Sequence, residues 1–86
     1  MARLSLVYFA WVREAIGRDE EQVERPAADV TIGALIATLA ARGGGYAEAF
    51  ARPDKLRAAL DHRFVPLDSP IGEAKELAIF PPVTGG

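Results

Sequence analysis

The sequence has no cysteine, which removes disulfide staples, thiolate nucleophiles and cysteine-type zinc sites from consideration. It has one histidine, His62, and a lone imidazole cannot assemble a histidine metal cluster or a serine–histidine–aspartate triad of the usual kind. His62 stands in the polar run Asp61-His62-Arg63 between two apolar segments, the place of an exposed turn residue. A long apolar run is also missing. Leu4 to Val12 contains Ser5 and is bounded by Arg3 and Arg13, too short for a membrane span and without a signal-peptide cleavage pattern. Basic residues are few and scattered, ten against twelve acidic ones for a net charge of −2, so no positive stripe gathers nucleic acid. These absences predict a cytoplasmic protein without nucleic-acid or membrane partners, with no bound metal or cofactor and few side chains for catalysis of its own.

What is present is enough for one compact core. A chain of 86 residues buries roughly 60 to 70% of its unfolded surface. Half the residues are hydrophobic and about a quarter charged, the balance of an ordinary globular domain. Leu4, Leu6 and Tyr8 alternate with Ser5, Val7 and Phe9, a period-two pattern with both faces largely apolar, as for a strand near the middle of a sheet. Trp11 to Gly17 predicts a short helical turn, and Glu21 to Arg25 a second, more exposed strand that closes at Pro26. Thr31 is placed to cap a helix whose apolar face is Ile32, Leu35, Ile36 and Leu39, with Arg42 suited to its end and Gly43 as its stop. Gly43-Gly44-Gly45 reads as a flexible exit, and Tyr46 to Phe50 as an added helical turn before Pro53. Leu56 to Leu60 and Phe64-Val65 predict two short strands around the Asp61-His62-Arg63 turn. Glu76 to Phe80 is the last strand, with Leu77 and Ile79 facing one way and Ala78 and Phe80 the other, and Pro81-Pro82 ends its ladder. The order predicts an α+β fold in which one main helix covers one face of a mixed sheet, compatible with a β-grasp.

The most informative segment is the last. After Pro81-Pro82 come Val83, Thr84, Gly85 and Gly86; at the average glycine share of about 7%, a chance diglycine terminus arises in roughly one chain in two hundred. Glycine lets a backbone enter a channel too narrow for a Cβ, and Pro81 to Gly86 can extend about 20 Å. A carboxylate is a poor electrophile at neutral pH, so chemistry at Gly86 requires activation, most simply as an acyl-adenylate made from ATP by a partner. The activated acyl group can then accept sulfur, and the resulting thiocarboxylate needs no cysteine in the carrier. A frayed, inert terminus is the competing account of the same residues.

Phe80-Pro81-Pro82-Val83-Thr84-Gly85-Gly86 closely resembles the C-terminal signature of the small subunit of molybdopterin synthase, the sulfur carrier of molybdenum-cofactor biosynthesis. Leu6-Val7-Tyr8-Phe9-Ala10-Trp11-Val12-Arg13-Glu14 is similar to that family's first strand and following turn, and Thr31-Ile32-Gly33-Ala34-Leu35 to its capped helix. The resemblance runs from end to end and implies a ubiquitin-like β-grasp domain over residues 1–80 with a flexible functional tail over 81–86. It implies that a ubiquitin-activating-like adenylyltransferase activates Gly86 with ATP and that sulfur is carried there as a thiocarboxylate. The tail then enters the large synthase subunit and gives sulfur to cyclic pyranopterin monophosphate, so the chain is a sulfur-donating subunit of a transferase and not an enzyme on its own. By the same resemblance Gly85 keeps the channel passable. Phe64 and Phe80 belong to an apolar partner surface, Arg13 makes a polar contact there, and Pro81, Pro82, Val83 and Thr84 enter the partner with the tail. Strand spacing fits Phe64 and Phe80 to a core equally well, and Arg13 to a solvated position. Two places depart from the family: Ile71 to Glu76 replaces a glycine-aspartate turn, and Asp61-His62-Arg63 lacks the usual asparagine. A thiazole-synthesis sulfur carrier, a protein modifier joined through Gly86, and a β-grasp interaction module with an inert tail remain as alternatives.

Overall fold

The computed structural model describes residues 3–82. Five strands form one mixed sheet: β1 (Arg3–Tyr8), β2 (Glu20–Glu24), β3 (Arg57–Leu60), β4 (Arg63–Val65) and β5 (Glu76–Phe80), in the order β2-β1-β5-β3-β4. β1 and β5 run parallel, and the other pairs are antiparallel. The sequence prediction that β1 lies inside the sheet is met. Its Leu4, Leu6 and Tyr8 are buried, while Ser5 and Val7 on the other face are half-buried.

Three α-helices pack on the Leu4–Leu6–Tyr8 face: α1 (Ala10–Ile16), α2 (Ile32–Ala40) and α3 (Gly44–Ala49), the first and last at the helical turns expected before Gly17 and before Pro53. α2 is the main one, and its Ile32, Leu35, Ile36 and Leu39 are buried as their spacing predicts. The Thr31 hydroxyl accepts from the Ala34 amide at 3.1 Å, satisfying one of the orphan donors of the first turn. α1 stops at Gly17, which adopts φ +90° and donates its amide to the Arg13 carbonyl, a left-handed cap that a side chain would oppose.

Two expectations about the end of α2 are corrected. The helix ends at Ala40, and Arg42 lies beyond its last turn. There the guanidinium stands 3.3 Å from a Glu21 carboxylate oxygen and 5.0 Å from the centre of the Tyr46 ring. Gly43-Gly44-Gly45 is not a flexible exit, because Gly44 and Gly45 are the first residues of α3. A Cβ on Gly45 would meet the Ala15 carbonyl oxygen and stand 2.9 Å from its carbon, so glycine here lets α3 lie against α1. Close packing between helices overrides glycine's poor helix propensity.

β3 and β4 form a hairpin whose two turn residues, Asp61 and His62, have φ +47° and +71°. Positive φ at both positions matches the twist of a two-residue hairpin. The Asp61 carboxylate accepts the Lys75 and Glu76 amides at 2.9 and 3.0 Å, and these two bonds hold it below the usual carboxylate range. An acceptor side chain at this position thereby clips the turn to the start of β5, a job that aspartate does in place of the expected asparagine.

Candidate functional site

The sheet face turned away from the helices carries the site. Cross-strand partners share a face, and the pairs Val7 with Ala78, Ala78 with Ala59, and Ala59 with Phe64 lay a row of small residues across its middle. Large rings stand around the two alanines. Phe64 is 81% exposed, its ring centre 5.5 Å from that of Phe80, which in turn is 6.5 Å from Phe9. The result is an apolar hollow of about 550 Å³. Ala59 and Ala78 line it with the three phenylalanines, and Pro81 and Pro82 complete it at the end of β5.

This arrangement sets Phe64 and Phe80 outside the core. Leu77 and Ile79, on the opposite face of β5, are fully buried in the core, whereas Phe80 is half-buried outside that cluster and Phe64 beside it is largely exposed. Large apolar groups are thereby gathered on an open face. Leu67 packs against the core and lines neither side of the patch, whereas Val65, also packed against the core, lines an adjoining hollow of about 450 Å³ with Phe64, Pro66 and Phe80. Phe9, 47% exposed, extends the patch and was not singled out from the sequence. The available signal was its alternation with Val7, which put it opposite Leu4, Leu6 and Tyr8.

His62 and Glu76 supply the hollow's polar rim, with His62 Nδ1 3.8 Å from Glu76 Oε2. The histidine side chain is 85% exposed in its turn, as its sequence setting predicts. Arg13 is exposed on α1 and does not line the hollow. Val83, Thr84, Gly85 and Gly86 lie outside the described residues, as does the tail chemistry assigned to them. Among the described residues no group of three histidine, aspartate or glutamate side chains comes together to hold a metal ion. No described helix is long and apolar enough to cross a membrane.

Comparison with known proteins places this geometry in a family. The model of the ThiS family matches residues 6–86. The chain belongs to the ThiS family. Among curated relatives, the molybdopterin synthase sulfur carrier subunit of Escherichia coli (strain K12) is 40% identical over 84 residues, covering 96% of this chain and 99% of that protein. The subunit of the same name from Haemophilus influenzae is 40% identical over 83 residues, with the same coverage. Among solved structures, the putative molybdopterin converting factor subunit 1 of Pyrococcus furiosus superposes with a TM-score of 0.72 at 26% identity, over 96% of this chain and all of that one. Small archaeal modifier protein 1 of Haloferax volcanii, at a TM-score of 0.69 and 23% identity over 96% of this chain and all of that one, shares the fold. This ThiS-family chain is therefore a ubiquitin-like β-grasp, in which the open sheet face and the Pro81-Pro82 root adjoin.

Proposed function

We propose that this chain is the sulfur carrier subunit of molybdopterin synthase and that its Gly86 carboxylate carries the sulfur. The observation that carries the reading is the position of Pro81-Pro82. They line the apolar hollow between Phe9, Phe64 and Phe80 and lead directly into Val83-Thr84-Gly85-Gly86. A partner that covers the hollow is thereby brought to the root of the diglycine segment. The 40% identity to two sulfur carrier subunits, over nearly their whole length, supports the same reading.

The chemistry follows from what a carboxylate needs. A partner adenylyltransferase of the ubiquitin-activating kind directs the Gly86 carboxylate at the α-phosphorus of ATP, forming the acyl-adenylate and releasing pyrophosphate. A sulfur nucleophile then displaces AMP and leaves sulfur on the acyl carbon. The large synthase subunit takes the thiocarboxylate into its active site, where sulfur passes to cyclic pyranopterin monophosphate. This chain's own residues position and exclude. The phenylalanine face keeps water out of the contact while the threaded backbone supplies hydrogen bonds. The two prolines hold the root extended because their φ is fixed, and Gly85 presents no Cβ to the channel.

Incubation with ATP, a sulfur source and the activating enzyme is expected to raise the intact mass by the exchange of one oxygen for sulfur, located in the C-terminal peptide. Removal of Gly85 and Gly86 is expected to abolish the gain and leave the melting temperature unchanged. Mass added elsewhere, or sulfur transfer that survives the deletion, overturns the reading.

A further inference from the structure

Among the described residues, three other than glycine hold a positive φ: Ala10 at +55°, Asp61 at +47° and His62 at +71°. Glycine takes such a φ freely, whereas a Cβ crowds the backbone there, most for alanine and less for aspartate and histidine. A side chain retained at such a position should have a task. Asp61 has one inside the chain, because its carboxylate accepts the Lys75 and Glu76 amides. Ala10 and His62 have none of that kind. The Ala10 methyl is exposed at the start of α1 and belongs to no buried cluster. The His62 side chain is 85% exposed, and its ion-pair partner among the described residues is Glu76, at a long 3.8 Å. For folding alone, the two-residue hairpin favours aspartate followed by glycine over Asp61-His62, and the entry to α1 favours glycine over Ala10. The two residues come from separate segments, yet both line the apolar hollow of the open face, which Asp61 does not.

We infer that Ala10 and His62 are contact residues of the open face, held in disfavoured backbone because their side chains meet the protein that covers the hollow. Ala10 offers a methyl group to an apolar surface, and His62 offers an imidazole nitrogen to a polar group at the rim. Backbone held in a disfavoured region by the surrounding fold is gathered at binding sites in this way. The strain belongs to the free chain and is the same whatever the partner. The identity of the covering protein, the large synthase subunit, rests on the function proposed above. Stability and affinity then oppose each other at these two positions: glycine is the better residue for the fold and the worse one for the complex.

The test measures melting and binding together on the full chain, with the large molybdopterin synthase subunit from the same source as the partner. Ala10→Gly and His62→Gly are each expected to raise the melting temperature by about 2–6 °C. Both should nevertheless bind more weakly, Ala10→Gly about fourfold for one covered methyl group and His62→Gly about fivefold for one hydrogen bond. Asp61→Gly is the contrast and should melt lower, since it removes the clip to β5. His62→Asn keeps a residue that tolerates positive φ and is expected to bind as weakly as His62→Gly. His62 is the only histidine, so its ring resonances can be followed alone and should shift when the partner binds. Glycine variants that melt no higher than wild type overturn the strain on which the inference stands. Variants that melt higher and bind within about twofold of wild type overturn the contact role and leave the functional reading intact. Full affinity in His62→Asn assigns the loss to the turn backbone and overturns the part given to the imidazole. Failure of the wild-type chain itself to bind the large subunit overturns the functional reading, and the partner contact with it.

Discussion

At Gly45 one hydrogen atom separates a stabilising substitution from a damaging one. In an open helix Gly→Ala gains about 1 kcal/mol, because glycine loses more backbone freedom on folding. Here the added methyl would run into the Ala15 carbonyl, which is backbone and cannot swing away. Overpacking of this sort costs about 1–3 kcal/mol, so Gly45→Ala is expected to lower the melting temperature by roughly 5–15 °C, measured by calorimetry. A rise would mean that α1 and α3 can separate freely. The same glycine shows what local sequence conceals. Three consecutive glycines have the composition of a flexible exit, and only the neighbouring helix reveals that one of them is a packing contact. Phe64 and Phe80 are a comparable case: alternation assigns each to a face, but which face is left uncovered depends on where all three helices pack.

Among the elements, the join between β2 and the helices depends on one carboxylate. Glu21 points to the helix side of the sheet and its side chain is 8% exposed. It accepts the Tyr8 and Tyr46 hydroxyls, both at 2.7 Å, and faces Arg42 at 3.3 Å and Arg18 at 3.5 Å. Burial by itself would raise the Glu21 carboxyl, but the bonds from Tyr46, Tyr8 and Arg42 outweigh it and hold the group below its ordinary value. Burial and the same carboxylate push both tyrosines up, Tyr8 far above an ordinary phenol. A carboxyl depressed in the folded state contributes stability that is complete above its unfolded pKa of about 4.3 and is lost as pH falls through the lower folded value. Glu21→Gln should therefore lower the melting temperature at neutral pH, with the gap to wild type narrowing as pH falls below about 4. Glu21→Ala, which strands two part-buried hydroxyls, should cost about 2 kcal/mol or more. A constant gap between Glu21→Gln and wild type across the acid range would remove Glu21 from the acid response. Neither Tyr8, Glu21 nor Arg42 announces this network in the sequence, because its members come from four separate segments. The elements themselves were easier to read: five strands and the capped α2 follow from periodicity, Thr31 and the prolines.

On the scale of the whole molecule, the sheet divides its labour by face. Leu4, Leu6, Leu77 and Ile79 are wholly buried on one side, and Phe9, Phe64 and Phe80 gather on the other around Ala59 and Ala78. Folding and docking should then be separable by mutation, even between neighbours on one strand. Ile79→Ala empties a filled core position and should cost about 2–5 kcal/mol. Phe64→Ala removes almost nothing that the isolated chain uses, and should shift the melting temperature by no more than about 2 °C. Covered by a partner, however, a phenylalanine side chain contributes roughly 1.5–3 kcal/mol, so Phe64→Ala is expected to weaken binding to the large subunit by about 10–100-fold. Phe80→Ala should fall between the two, because its ring is half-buried against Phe9 and Phe64 in the free chain and covered further on docking. Paired melting and binding measurements on the three variants decide the matter. If Phe64→Ala lost stability as Ile79→Ala does while affinity held, the open face would be core, and the hollow beside Pro81-Pro82 would give a partner nothing to grip.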